Sequence, residues 1–483
     1  MKRILILLFV LFISISAVSA SENLTDCVSG ESDSVVCEGG DSIVLQDDLD
    51  GNGSNDSIDG EGNSSGNNSD TENLNETNIT IQCEDLVWYV NANPIYKFKI
   101  FDSNGTGVAA ENVSVTLNGI TNLISTDENG VGEFPITGLS AGTYPVTVEY
   151  GNRTINKNIT LFASRIINAK DISSVYGNKA KFTIRLLNNS GSPMAGVNVT
   201  FKIGNKVYTK QTNIHGDASI WPNFNSGNYV IRYSADGVSG KNKYTVTNYV
   251  SLEILDWGLT GDVSKAPLIK KNMPDNYWVK KAVEATKKGI PLITIKGGNG
   301  KAVFMTAGVH GNELNSQVAM MKMIKYLTTH PIKGTVYIIP FVNVKAISQK
   351  VRLTDYDFNR VAHKANTVSN KIIKLIIAKK CAAYGDFHTT VKGGVPGMDV
   401  VLGYTSPKGC VAMTNYIVKN AGVNKILYYP GQKYKWSLAD YCNSKGTPAV
   451  ICEVISPVNK VSWKATSLSY SQIKYFLKFN SIF

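Results

Sequence analysis

The chain has 483 residues, with 49 Lys and Arg against 38 Asp and Glu, five His, a formal charge of +11 and 43% hydrophobic residues. That length corresponds to roughly three domains of ordinary size and excludes a peptide or a single small module. The charge is unevenly placed: after Arg3 no Lys or Arg occurs until Lys97, residues 21–85 hold seventeen acids, and residues 86–483 hold 47 basic and 21 acidic side chains.

Residues 1–20 (MKRILILLFVLFISISAVSA) combine a short basic start, an apolar run and small residues at Ser16, Ala17, Ser19 and Ala20. This is the anatomy of a secretory signal peptide, with an uncleaved N-terminal anchor as the alternative. The expected location is therefore outside the cytoplasm, secreted or at the cell surface. Seven cysteines agree with export, because disulfides persist in oxidising surroundings. Their odd number leaves at least one thiol without a partner in the chain, and the lack of a C-x-x-C pair argues against a structural Cys-zinc module.

Residues 21–85 are rich in Asn, Ser, Gly, Asp and Glu and poor in apolar residues. Such a stretch cannot bury enough surface to offset its ordering entropy, so a solvated acidic stalk is expected. Thirteen Asn-x-Ser/Thr sequons lie between Asn23 and Asn198 and none follows residue 250, which marks a change of domain and predicts a glycoprotein.

Two units, 86–165 and 166–250, repeat at a period of roughly 85 residues. Lys97-Phe98-Lys99-Ile100 corresponds to Lys181-Phe182-Thr183-Ile184, and Gly142-Thr143-Tyr144 to Gly227-Asn228-Tyr229. Short alternating runs such as VSVTL and YVIRYSA between Asn/Gly/Asp turns predict two all-β sandwiches. They resemble the immunoglobulin-like repeats of prokaryotic surface proteins, including adhesin-like proteins of methanogenic archaea. His215 aligns with Asn129 and reads as a turn residue.

From 251 to 483 the pattern becomes α/β. Helical periodicity runs over Tyr277–Lys288 and Leu314–Thr328, with buried-looking strands at Ala302–Val309, Thr335–Phe341 and Ala449–Glu453. Gly297-Gly298-Asn299-Gly300 lies between two predicted strands and reads as a hairpin turn rather than a phosphate loop. His310 and Glu313 follow one strand and open a helix, where imidazole and carboxylate three residues apart can converge on one ion. His388 ends the strand Ala382–Thr390 and supplies a third ligand; two His and one carboxylate leave an open position for a catalytic zinc's water. Arg352 and Arg360 bracket Asp355, Asp357 and Asn359, a composition suited to anions. Glu453 ends an apolar strand and is one of four Glu after residue 250, a candidate general base.

The order H-x-x-E, R-x6-N-R, strand-terminal His and strand-terminal Glu resembles the zinc metallocarboxypeptidase superfamily, in its succinylglutamate desuccinylase/aspartoacylase-like branch. The resemblance covers about 255–483 and implies a mixed central sheet flanked by helices. By it, His310, Glu313 and His388 bind one Zn²⁺, Arg352 polarises the scissile carbonyl, and Asn359 and Arg360 hold a substrate carboxylate. Glu453 is then general base and acid. The resemblance also implies a tyrosine near that carboxylate, for which Tyr429 and Tyr434 are both candidates. His330 and His363 match no position of this pattern and read as loop or surface residues.

The expected function is a secreted or surface zinc metallopeptidase that hydrolyses an amide bond next to a free carboxylate. Its expected substrate is cell-wall peptide, pseudomurein if the host is a methanogen, with the repeats holding an envelope polymer. The 32 basic and 12 acidic residues of 251–483 suit an anionic partner. Nucleic acid is not expected, since no recognisable binding module is present. Two alternatives are a secreted deacylase of small N-acyl amino acids and a non-catalytic surface adhesin.

Overall fold

The computed structural model describes residues 79–483. The predicted signal peptide, nearly all of the stalk, Cys27 and Cys37 lie outside the described residues. Among the described residues no helix is long and apolar enough to cross a membrane.

The first repeat contains β1 (Thr80–Cys83), β2 (Leu86–Tyr89), β3 (Ile95–Phe101), β4 (Val113–Leu117), β5 (Ile120–Ile124), β6 (Val131–Pro135), β7 (Gly142–Tyr150) and β8 (Arg153–Phe162). The second contains β9 (Ile166–Ile167), β10 (Ile172–Val175), β11 (Phe182–Leu186), β12 (Asn198–Ile203), β13 (Lys206–Gln211), β14 (Asp217–Ile220), β15 (Gly227–Ala235) and β16 (Val238–Thr247). Each builds a three-stranded and a five-stranded sheet in the same order: β1-β3-β6 with β2-β8-β7-β4-β5, and β9-β11-β14 with β10-β16-β15-β12-β13. In both, the second strand joins the larger sheet in parallel, β2 to β8 and β10 to β16.

Period-two alternation explains the layering. β4 buries Val113, Val115 and Leu117 and turns Ser114 and Thr116 outward, and residues of both sheets share one apolar core in each unit. The repeated turns also match in their hydrogen bonds. Asp127 Oδ1 accepts from the amides of Asn129 and Val131, as Asn213 Oδ1 accepts from those of His215 and Asp217. His215 is thus the turn residue its alignment predicts.

The C-terminal domain contains β17 (Tyr249–Leu255), α1 (Pro267–Lys271), α2 (Tyr277–Ala285), β18 (Ile290–Lys296), β19 (Ala302–Ala307), α3 (Leu314–Thr329), β20 (Thr335–Ile339) and α4 (Val344–Gln349). It continues with α5 (Val368–Ala378), β21 (Ala383–Thr390), β22 (Val400–Tyr404), α6 (Cys410–Ala421), β23 (Asn424–Tyr428), α7 (Leu438–Ser444), β24 (Ala449–Ile455) and α8 (Trp463–Phe479). One mixed eight-stranded sheet runs in the order β17-β18-β20-β19-β21-β24-β22-β23. Its centre, β20, β19, β21 and β24, is parallel. All eight residues of β21 are buried, as expected of a central strand covered on both faces. Helices α3 and α6 each pack against α8, while α7 packs on β21 and β24 with α5 beside it.

Three expectations are corrected. The first repeat begins before residue 86, because β1 pairs with β3 and buries Ile81 and Cys83 in the sandwich core. Four residues beside a polar tract are too short to show a period. The second boundary falls at Asn248, since Tyr249 and Val250 already pair with β18 in the C-terminal sheet. Finally, Gly297–Gly300 is not a hairpin: β18 and β19 both pair with β20, which lies between them. Gly297 is required there by close approach, since a Cβ would meet the Ile332 carbonyl oxygen at 2.3 Å and Asn248 Oδ1 at 2.6 Å.

Those contacts join the second repeat to the C-terminal domain. Asn248 Nδ2 donates to the carbonyls of Leu327 and His330 at 2.6 and 2.7 Å, and Ser226 Oγ both donates to the Ile332 carbonyl and accepts from its amide. Cys83, Cys381, Cys410, Cys442 and Cys452 are all buried free thiols, each pushed up in pKa first by desolvation.

Candidate active site

The candidate residues converge outside the carboxyl ends of the central parallel strands, the usual place for a crevice in an open α/β sheet. β19 ends at Ala307, and the chain turns at Gly308 with φ +72° to present His310 and Glu313 before α3. Gly311 lets this turn press against the next segment: a Cβ would meet the Ala346 carbonyl carbon at 2.4 Å. Its amide donates to the Arg352 carbonyl at 2.9 Å, which brings the Arg352 segment beside His310. On β21 His388 stands directly opposite Glu453 of β24 in the parallel register.

His310, Glu313 and His388 are 4%, 3% and 1% exposed, and one ligand atom from each lies within 4.8 Å of the others. Glu313 Oε1 is 2.7 Å from His310 Nδ1, and Oε2 is 2.9 Å from His388 Nδ1. The Thr389 amide adds a 3.1 Å bond to Oε2. Burial alone would raise the Glu313 carboxyl, but the two imidazoles hold it well below the usual carboxylate range. Burial likewise opposes charge on the imidazoles, yet Glu313 and the aspartates behind them raise both. Two imidazole Nδ1 atoms, once they give up their protons to the ion's binding, and one carboxylate are a fitting donor set for zinc, and these residues fit the ion that the sequence implies.

The outer nitrogens face carboxylates that sequence reasoning missed as site residues. His310 Nε2 is 3.2 Å from Asp357 Oδ1, and His388 Nε2 is 3.0 Å from Asp386 Oδ2, close in distance but poorly aligned as a hydrogen bond. Desolvation would raise Asp357, but the hydrogen bond and charge of His310, the Asn359 amide and the Arg360 charge together hold it at about 2. Carboxylates behind metal-binding imidazoles fix the tautomer and raise ligand basicity. Asp386 had a local signal, since residues two apart on a strand share a face. Asp357 had none, being 47 residues from His310.

Glu453 is half-buried, and its Oε2 is shielded without a hydrogen-bond partner. Desolvation, opposed by His388 and reinforced by Glu313, raises its carboxyl to about 8. An unpaired carboxyl of this kind, beside a metal-ligand cluster, suits proton transfer near neutral pH.

The structure distributes the remaining residues differently. Arg352 lies at the rim, its side chain 49% exposed, with Nη1 donating to Glu313 Oε1 at 2.6 Å. Asn359 is 4% exposed and turned inward: Oδ1 accepts from the Leu438 amide at 2.9 Å, and Nδ2 lies 3.3 Å from His388 Nε2. Arg360 is exposed, lining a cleft with Val395, Gln432, Lys433, Tyr434, Lys435 and Trp436. Of the two tyrosines, Tyr429 is 68% exposed, whereas the Tyr434 ring lies 5.7 Å from the Arg360 guanidinium carbon. The Tyr434 hydroxyl is buried without a partner and raised to about 12, by desolvation and then by Tyr428 and Glu453.

The loop carrying Tyr434 is held under strain. Tyr434 and Trp436 have φ of 55° and 64°, unusual for bulky residues. Asp440 clamps the loop, accepting from the Gly431 amide at 2.6 Å and the Trp436 amide at 2.9 Å. His363 stacks under Trp436 at 3.9 Å between ring centroids, so it packs against the cleft wall. His330 stacks on Tyr326, away from this site.

Residues 299–393 match the family described as succinylglutamate desuccinylase/aspartoacylase catalytic domain. The matched span includes His310, Glu313, Arg352, Asn359, Arg360 and His388, while Glu453 lies beyond it. Among solved structures, the chain is similar to the product-bound ectoine utilization protein EutE (DoeB) of Ruegeria pomeroyi, at 16% identity and TM-score 0.35, over 41% of this chain and 63% of that one. It is also similar to an aspartoacylase family protein of Mesorhizobium loti (15%, TM-score 0.34, 48% and 67% of the two chains). A third likeness is to the tripeptide-bound cell shape determinant Csd4 of Helicobacter pylori (14%, TM-score 0.34, 40% and 56%). A curated relative, the inverse autotransporter adhesin YeeJ of Escherichia coli K12, is 30% identical over 136 residues, 24% of this chain and 6% of that protein.

Proposed function

We propose that this protein is an exported, zinc-dependent amide hydrolase that cleaves next to a free carboxylate and trims cell-wall peptides, those of pseudomurein if the host is a methanogen. The observation that carries the reading is the convergence of His310, Glu313 and His388 beside the unpartnered carboxyl of Glu453. The family match over 299–393 supports it. A bound zinc would supply Lewis-acid polarisation of the acyl oxygen and acidification of a water.

The chain's own groups do the rest. Glu453 accepts the proton of the attacking water and returns it to the leaving amine. Arg352, at the rim, offers guanidinium donors to the acyl oxygen as charge builds there. Arg360, with Lys433 and Lys435 in the same cleft, holds the substrate carboxylate, and Tyr434 closes over it. Asn359 acts from behind, by orienting His388 and the start of α7. The signal-like N-terminus and the two immunoglobulin-like repeats would carry this domain to the envelope, a reading to which the partial likeness to an adhesin lends support.

The test is direct. The purified full chain should hold one zinc, and mass spectrometry should show a residue released from wall peptides with a free carboxyl end. Absence of stoichiometric zinc would leave the adhesin reading; release from simple N-acyl amino acids alone would favour the small-molecule deacylase. Asp440→Ala frees the 431–436 loop and should raise KM about tenfold with a smaller change in kcat, the equivalent of roughly one hydrogen bond to a charged group. Equal losses in kcat and kcat/KM would instead place the loop's contribution in the transition state.

A further inference from the structure

Behind the ligand cluster runs a line of buried groups that no step above uses. Tyr384, Thr306 and Asp386 are completely shielded from solvent. The Tyr384 hydroxyl is 2.5 Å from Thr306 Oγ1, Thr306 Oγ1 donates to Asp386 Oδ1 at 2.7 Å, and Asp386 Oδ2 is 3.0 Å from His388 Nε2.

Hydrogen-bond chemistry gives this line a direction. A carboxylate only accepts, so the single Thr306 proton goes to Asp386, and Thr306 can then only accept from Tyr384. Desolvation and the nearby Asp386 charge hold the Tyr384 phenol well above its usual range, which keeps it a donor. Backbone geometry sets the line in place. Tyr384, Asp386 and His388 alternate along one face of β21, and Thr306 on β19 is the register partner of Asp386. Three of the four members therefore ride on one strand and the fourth on its neighbour.

We propose that Thr306 and Tyr384 are positioning residues for the metal centre. They fix the Asp386 carboxylate 3.0 Å from the outer Nε2 of His388, and so hold the imidazole in the orientation that presents Nδ1 to Glu313 and the ion. A purely structural network would satisfy the same buried groups without influencing the metal, and the two roles separate by experiment. The inference rests on the zinc reading above.

The experiment measures zinc dissociation constants of the full chain by competition with a chromophoric chelator, for the unaltered protein, Thr306→Val, Thr306→Ser and Tyr384→Phe. Circular dichroism and melting curves of the metal-free forms report the fold. Thr306→Val should bind zinc roughly 10- to 100-fold more weakly, Tyr384→Phe should weaken it less, and Thr306→Ser, which keeps the hydroxyl, should restore binding. Folded Thr306→Val with unaltered affinity overturns the proposal, as does Thr306→Ser as weak as Thr306→Val. If Thr306→Val does not fold, Tyr384→Phe decides, because it leaves the Thr306 to Asp386 bond intact; unaltered affinity there overturns it. Failure of the unaltered protein to bind zinc removes both the functional reading and this inference, whereas equal affinities across the variants remove this inference alone.

Discussion

Glu453→Gln should lower turnover by about 10³-fold, within the range ascribed to a positioned general acid–base, while the protein retains its zinc. The glutamine keeps the shape of the side chain but cannot take a proton. It is not one of the three residues whose ligand atoms converge, so metal content should be unchanged. Loss of zinc in this variant would contradict the role assigned to Glu453. The same substitution has a signature without metal. The folded carboxyl titrates at about 8, against an ordinary value of 4.5, because desolvation disfavours its charged form. A carboxyl raised in this way weakens the folded state progressively as pH rises from 4.5 through 8. Metal-free Glu453→Gln should therefore be more stable than the unaltered protein at pH 9, by on the order of 5 kcal/mol, and the difference should vanish below pH 4.5. Bound zinc, as a nearby dication, should draw the titration below 8 and shift the acid limb of the rate profile with it.

Glu313→Gln should have the largest effect on the metal and a large one on the fold. The carboxylate takes four donors: His310 Nδ1 and Arg352 Nη1 on Oε1, His388 Nδ1 and the Thr389 amide on Oε2. A carboxamide offers one oxygen, and its NH₂ would face a donor. Zinc binding should fall to background in chelator competition. In the metal-free protein, removing one partner of a buried charged cluster should cost about 3–5 kcal/mol. The sign fixes the window. Glu313 is lowered, so its contribution exists above 4.5 and is lost as pH falls through its folded value; the histidines are raised, so theirs exists below 6.5 and is lost as pH rises through their folded values. The deficit should be greatest between pH 4.5 and 6.5, as read by calorimetry. Unchanged melting across that window would show that the cluster is not the charged network described.

Much of this centre is local in the chain. His310 and Glu313 are three residues apart at a strand-to-helix junction, and His388 and Glu453 each lie near the end of an apolar run. The repeat of the two β units was equally legible, because corresponding strands recur in the same order and bury the same alternating positions. The errors were of another kind. Gly297–Gly300 looked like a hairpin because adjacency in sequence was read as adjacency in the sheet, whereas β20, later in the chain, lies between β18 and β19. Asn359 and Arg360 are neighbours in the chain, yet successive residues point different ways, and the turn Phe358–Arg360 sends one inward to His388 and the other to solvent, which adjacency alone does not display.

The sequence by itself determined the alternation that layers the two β units, the change to an α/β pattern after them, and the placement of His310, Glu313 and His388 near strand ends, since each depends on spacing within a single element or junction. Only the tertiary structure decided which atoms those side chains present. Asp357, 47 residues from His310, and Thr306, 80 residues from Asp386, reach their partners through strand register and loop packing. Tyr434 rather than Tyr429 faces Arg360 because Asp440 clamps its loop in a strained turn. Hydrogen bonds act over about 3 Å regardless of chain separation, so contacts of this kind leave no local period for a sequence to display.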